Sequence, residues 1–415
     1  MKIEECDCLI VVLMSALHIG MITREWPPKV YGGAGVHVNN LVAALRSHHG
    51  EHSVSVDVHC FDGPRSDAFG YQLDPSLPPI NPALATMMIG HDIAISIGKM
   101  SMDKMRDGRS GALDLVHSHT WYANFAGELA RRAIDIPHVV TAHSLEPRRP
   151  WKAEQLGSGY AISSWIEASS YRNADAIIAV SDGMRDDVLE TYDFLDPSRV
   201  RTIHNGVDSE RFAPRDSDDF IKSASIDGPF ALFVGRITRQ KGLAHLLRAW
   251  KLVDSGLGLV IAAGSPDEPG IGNEIEALIG ELKESRKNIW WFPEMLRHED
   301  LVELLTHAEI FLCPSIYEPL GIVNLEAMAC ECPVVASAVG GIPEVVVHGV
   351  TGDLVPYSSR AEDFESDFAE TVNLLFSDSA RRERYGKAGR ERVRMQFSWD
   401  RIASETISLY RSLLH

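Results

Sequence analysis

The chain has 415 residues, a formal net charge of -18 and a pI near 5.4. That negative field excludes non-specific binding to nucleic acid or to an anionic membrane, both of which need a positive surface. The length exceeds one ordinary core and predicts two domains, while 45% hydrophobic and 24% charged residues exclude extensive disorder. Six cysteines (Cys6, Cys8, Cys60, Cys313, Cys330, Cys332) form no CxxC pair and no disulfide-dense pattern, so reduced thiols and a cytoplasmic location are expected.

The first apolar run, CLIVVLMSAL at 8–17, follows Glu4, Glu5 and Asp7, where a signal peptide needs positive charge. It is also far short of the roughly 18 apolar residues of a membrane span. Residues 1–14 therefore read as a non-conforming leader, with Met14 as an alternative start. Short apolar, β-branched runs then recur at 18–22, 54–60, 114–119, 138–143, 176–181 and 201–206. Helical patterns such as VHVNNLVAALRSH and NFAGELARRAI separate them, so a parallel sheet covered on both faces is expected. After a polar stretch near 205–228 the alternation restarts at 230–235, 257–264, 288–292, 310–315 and 333–338. The predicted fold class is α/β: two doubly wound, Rossmann-like parallel-sheet domains facing across a cleft. The expected domains are 15–205, joined by a returning amphipathic helix at 397–415, and 206–396. The basic run RRERYGKAGRERVRM at 381–395 reads as a solvated helix face.

In KVYGGAGVHV, Gly32, Gly33 and Gly35 lie between a strand and a helix, where backbone amides and a helix N-terminus can hold an anion. A tight βα turn without a ligand is the alternative. The pattern is neither GxGxxG nor GxxxxGK[ST], which removes the main support for a dehydrogenase or a phosphate-loop ATPase. In FVGRITRQKGL, Arg236 and Lys241 follow a strand; they are two fixed cations in an acidic chain, suited to a diphosphate. YEPLGIVNLEAMAC sets Glu318 before a turn and Glu326 inside a helix opening near Gly321. The amides of Gly321, Ile322 and Val323 can hold phosphate, and the two carboxylates can accept from sugar hydroxyls. His117, His119 and His143 stand at strand ends; three histidines allow a metal reading, but no carboxylate or cysteine completes a ligand set, so no metal is expected. Trp121 and Trp151 are either packing residues or flat platforms for a hexose.

KVYGGAGVHV, DLVHSHTWYANFAG, TAHSLEPRRPWKAEQL, IHNGVDSERF, FVGRITRQKGL and YEPLGIVNLEAMAC together resemble, in order and from about residue 17 onward, the retaining GT-B glycosyltransferases. Within them the likeness is to the actinobacterial-type ADP-glucose-dependent glycogen synthase and α-maltose-1-phosphate synthase group. The resemblance implies transfer of glucose from ADP-glucose to glucose-1-phosphate or to an α-1,4-glucan, with no cofactor beyond the nucleotide sugar. By the same resemblance Glu318 lies near the donor glucose, Glu326 on the ribose, and Arg236 and Lys241 on the diphosphate. It further puts Gly33 at the distal phosphate and His143 beside the sugar's 6-hydroxyl, and matches Asn205 and Gly206 to a strand-end motif at the domain junction. Arg149 and Lys152 are candidate cations for a phosphorylated acceptor, beside His117, His119 and Trp121. Arg148 departs from the group in standing where an apolar residue is expected, and Phe292 departs in the loop expected to face the nucleobase. Other readings are a retaining transferase using a UDP- or GDP-sugar with another acceptor, and a non-catalytic sugar-nucleotide binding protein. Neither nucleic acid nor integral membrane contact is expected, and a homodimer is left open.

Overall fold

The computed structural model describes residues 17–30, 32–48, 53–76, 80–106, 112–149, 157–264, 266 and 268–414. The leader, Met14, Cys6, Cys8, Trp151 and Lys152 lie outside the described residues. The chain lays down β1 (Leu17–Thr23), α1 (Gly33–Ser47), β2 (Val54–Phe61), β3 (Phe69–Tyr71), α2 (Pro82–Arg106), β4 (Leu115–His119), α3 (Thr120–Ile134), β5 (His138–Ala142), α4 (Gly159–Asn173), β6 (Ala176–Ala179), α5 (Asp182–Thr191) and β7 (Val200–Thr202). It continues with α6 (Asp219–Ser223), β8 (Phe230–Arg236), α7 (Leu243–Ala249), β9 (Gly258–Gly264), α8 (Pro269–Ser285), β10 (Ile289–Phe292), α9 (His298–His307), β11 (Ile310–Cys313), α10 (Ile322–Ala329), β12 (Val334–Ser337), α11 (Ile342–Val345), β13 (Gly352–Val355), α12 (Ala361–Ser377), α13 (Ser379–Gln396) and α14 (Trp399–Ser412).

The strands form a seven-stranded sheet ordered β3-β2-β1-β4-β5-β6-β7 and a six-stranded sheet ordered β10-β9-β8-β11-β12-β13. β1 runs parallel to β2, with Leu17 opposite Val54, and to β4, with Ile19 opposite Leu115. β8 is likewise parallel to both β9 and β11. Each sheet reverses its winding once, between β1 and β4 and between β8 and β11. In a doubly wound sheet this switch point opens a crevice beyond the strands' carboxyl ends, where ligands bind. The fold is therefore α/β, with two Rossmann-like parallel sheets.

Parallel strands covered on both faces need apolar side chains at successive positions rather than alternate ones. β4, β5, β11 and β12 are accordingly buried at every residue. Around the six-stranded sheet Phe233, Leu247, Trp250, Ile261, Ile275, Phe364 and Phe368 pack into one core. Burying each side chain of this size contributes about 1.5–3 kcal/mol before conformational entropy is set against it. α3 closes on β5 at Gly127, where a Cβ would stand 2.2 Å from His138 Nε2.

By compactness the chain divides into two units. One comprises residues up to Thr141, Arg149–Ala176 and Ala403 onward; the other comprises Ala142–Arg148 and Ile177–Ile402. Among the described residues, no helix is long and apolar enough to cross a membrane. The basic run at 381–395 is helical as expected, but it is not simply a solvated face. Arg381 pairs with Asp353 at 2.6 Å and Arg382 with Glu309 at 2.9 Å, while Arg390 donates to the Ala329 carbonyl and Arg392 to that of Glu344. Two of its arginines are thus ion-paired and two bind backbone carbonyls within the second unit, while Arg384, Lys387 and Arg394 stay exposed.

Candidate active site

The loops after β8 and β11 carry the expected diphosphate and sugar residues, and the structure brings them together within the second unit. β8 ends at Arg236, whose side chain is exposed, and a short turn leads to Lys241 and Gly242. Gly242 adopts φ 67°, and a Cβ there would lie 2.0 Å from the Pro314 carbonyl oxygen. The close approach is fastened by Ile316 N donating to the Gln240 carbonyl at 2.9 Å. Lys241 Nζ thereby reaches Glu318 and donates to its Oε2 at 2.6 Å, while Ser315 Oγ donates to the same oxygen at 3.2 Å. Burial pulls the Lys241 pKa down, but the adjacent Glu318 carboxylate outweighs it and the net direction is up, so the lysine is charged at neutral pH. The Arg236 charge acts on Lys241 in the opposite sense, which places two cations near one another.

α10 opens as the sequence indicates. Gly321 caps it at φ 95°, and a Cβ there would stand 2.6 Å from Asn324 Nδ2. Ile322 and Val323 supply the first-turn amides, which intrahelical bonding leaves unsatisfied. One turn on, Glu326 is half-buried, and burial pushes its pKa up to about 7 against the opposing charges of Lys241 and Arg211. Because its folded-state pKa lies above the ordinary value of 4.5, the fold penalises the ionised form, and this penalty grows as pH rises from about 4.5 to 7. Glu326→Gln should therefore gain stability relative to the parent across that window and hold the gain above it. Urea unfolding at pH 5 and pH 8 reads the change, at most about 3 kcal/mol and less by the solvent screening of a half-buried group. A difference that stays flat with pH contradicts the assignment.

In the first unit the switch point between β1 and β4 carries Gly33 and His119. Gly33 is the exposed first residue of α1. Glu25, which sequence reasoning passed over, accepts from Gly32 N at 2.8 Å, and a Cβ on Gly35 would lie 2.6 Å from its carboxylate. His119 is buried, with Nε2 3.1 Å from Met21 Sδ, and precedes Thr120, a β-branched residue at φ 65°. Such a backbone costs about 1–3 kcal/mol and clusters at functional sites.

Two expected acceptor residues are corrected by their surroundings. His117 is fully buried, with Nδ1 2.6 Å from Tyr410 Oη and Nε2 2.7 Å from Thr141 Oγ1, and burial drives its pKa well below the usual value. With both nitrogens engaged, it is a neutral strut for α14. Trp121 is 3% exposed and stacks on Tyr122 at 4.0 Å, so it packs the core rather than offering a sugar platform. His143 follows β5 and, like Arg149, is half-buried, while Lys152 is outside the described residues. Arg148 owes its place to α5: it pairs with Asp187 at 3.5 Å and also with Glu190. Phe292 is held by Phe220, with ring centroids 5.4 Å apart. In the strand-end motif, Asn205 is buried and Gly206 makes room for Trp399, whose ring atoms would lie 2.7 Å from a Cβ.

Two Rossmann-like parallel sheets, one carrying paired cations and carboxylates at its switch point, define a GT-B glycosyltransferase. Comparison with known proteins agrees: the profile described as Glycosyltransferase Family 4 matches residues 31–211, and that described as Glycosyl transferases group 1 matches residues 215–392. The chain is 47% identical to alpha-maltose-1-phosphate synthase of Mycobacterium tuberculosis and 48% identical to that of Mycolicibacterium smegmatis, each time over 96% of this chain and 100% of the relative. The fold is shared with sucrose-phosphate synthase from Thermosynechococcus elongatus, with a TM-score of 0.73 and 24% identity over 96% of this chain and 99% of that one. The chain belongs to the glycosyltransferase family that contains these α-maltose-1-phosphate synthases.

Proposed function

We propose that this glycosyltransferase moves glucose from ADP-glucose to glucose-1-phosphate with retention of configuration, releasing ADP and α-maltose-1-phosphate. The Lys241–Glu318 pair beside Gly321, at the switch point of the six-stranded sheet, carries the reading. The full-length likeness to α-maltose-1-phosphate synthases supports the choice of acceptor.

In this reading Arg236 takes two diphosphate oxygens with its planar fork, Lys241 supplies a point charge, and the amides of Ile322 and Val323 complete the cradle. Glu318 accepts from the hexose and Glu326 from the ribose; His143 meets the 6-hydroxyl and the Gly33 amide the distal phosphate. Arg149 and Lys152 serve the acceptor phosphate. The bond from the anomeric carbon to the β-phosphate oxygen breaks, with its electron pair staying on ADP. The acceptor 4-hydroxyl oxygen bonds to the same face, and its proton passes to the departing oxygen. Catalysis is then mainly electrostatic, since fixed cations stabilise charge that develops only as the bond breaks.

Mass spectrometry after incubation with ADP-glucose or UDP-glucose, each with glucose-1-phosphate or glycogen, tests the proposal. A phosphorylated disaccharide formed with ADP release is the expected product. An elongated glucan without that disaccharide replaces the acceptor, faster reaction with UDP-glucose replaces the donor, and no transfer from either donor overturns the reading.

A further inference from the structure

α2 is the longest helix among the described residues and has two apolar faces. One packs inward through Ala83, Ile93 and Ile97, all fully buried. The other leaves Leu84, Met88, Ile95 and Met102 exposed by 43%, 37%, 42% and 61%. At about 100° per residue these four positions fall on one stripe, with Met88, Ile95 and Met102 at heptad spacing. A soluble surface tolerates scattered apolar residues, but a stripe recurring at heptad spacing, here broken only by exposed His91 and by Gly98, marks a face open to a partner.

Two further features say what covers it. Gly98 borders the stripe in the helix interior, where glycine is destabilising relative to alanine, yet a Cβ there would meet nothing within 4 Å. Gly90, by contrast, is required within the chain, because a Cβ there would stand 3.2 Å from Phe125. Gly98 thus leaves room for something outside the chain to approach the helix backbone. Exposed Asp92 and Lys99 also lie seven residues apart on one flank of the stripe. If two such helices cross antiparallel about a two-fold between residues 95 and 96, Asp92 of each copy meets Lys99 of the other. Met88 then lies beside Met102, and Ile95 lies on the axis beside its own mate.

We propose that α2 is the surface through which two copies of this chain pair, antiparallel and isologous. One acid and one base per copy make the patch self-complementary. The repulsion between two chains of net charge -18 is screened beyond about 8 Å at physiological salt.

Sedimentation equilibrium of the full chain should show a dimer. Lys99→Asp or Asp92→Lys alone should weaken it roughly tenfold, because each inverts both symmetry-related pairs, and the double reversal should restore it. Ile95→Cys, oxidised with copper phenanthroline, should give a covalent dimer absent from the parent chain. Leu84→Cys should not, since in this register it lies about 35 Å from its mate. A parent chain that stays monomeric overturns the proposal, as does a dimer indifferent to all of these changes. So does a monomer that instead sediments with phosphatidylcholine vesicles and loses this with Ile95→Lys, because that assigns the face to a lipid surface.

Discussion

Lys241→Ala should lower turnover by about a hundredfold, with the loss in kcat exceeding any rise in KM. Removing one preorganised charge that faces a developing anion costs about 3 kcal/mol of transition-state stabilisation. Arg236→Ala should lose activity on the same scale, yet the two variants differ in what they do to the fold. Arg236 is exposed, so its truncation should cost less unfolding free energy than that of Lys241. Lys241 is half-buried against Glu318, whose carboxylate is left in the protein without its countercharge when the lysine goes. That should cost roughly 1–3 kcal/mol, so thermal unfolding separates the two roles. Full turnover in both variants contradicts the electrostatic account.

Gly340→Ala should both destabilise the second unit and impair catalysis, although the residue touches no expected ligand atom. Gly340 has φ 52°, and a Cβ on it would stand 2.0 Å from the Glu318 carbonyl oxygen. Its neighbour Gly341 donates to that same carbonyl at 3.0 Å, and Ser181 Oγ donates to the Pro319 carbonyl at 2.5 Å. Gly183 presses on Gly340 from the other side, where a Cβ would come within 2.9 Å of its carbonyl. The loop bearing Glu318 is therefore pinned by backbone contacts that only glycine allows. An added methyl group must displace the Glu318 peptide, at roughly 2–4 kcal/mol from strain and overpacking together. A shift of about 1 Å in a reacting group can cost a hundredfold in rate. Gly349→Ala is the control: φ is 78°, but nothing lies within 4 Å of the new carbon. It should lose about 1 kcal/mol and keep full turnover. Equal behaviour of the two variants contradicts the positioning role.

Many sheet strands were legible because strands buried on both faces are spelled as short runs of Val, Ile and small residues without alternation, as in Val334–Ser337 and Ala176–Ala179. β3 and β13 were not, since FGY and GDLV are too short and carry glycine. α2 escaped for a related reason: Gly90 and Gly98 interrupt it, and apolar residues on two faces blur its period. That Lys241 and Glu318 lie close together could be anticipated, because they stand in the loops after β8 and β11. What tied them together could not, since Gly340 meets Glu318, and Gly242 meets Pro314, only through space. His117 and Trp121 misled for the same reason. Polar and aromatic residues at a strand end look alike whether they face a ligand or the core, and Tyr410, the partner that settles His117, lies 293 residues away.

If one diphosphate is held by Arg236, Lys241 and the first amides of α10, Lys241 must leave Glu318 to reach it. A crystal structure of the chain soaked with ADP measures this directly. A β-phosphate oxygen should lie within hydrogen-bonding distance of both Lys241 Nζ and the Arg236 guanidinium, with the amides of Ile322 and Val323 pointing at the same group. A diphosphate bound elsewhere, with Lys241 still on Glu318, would contradict it.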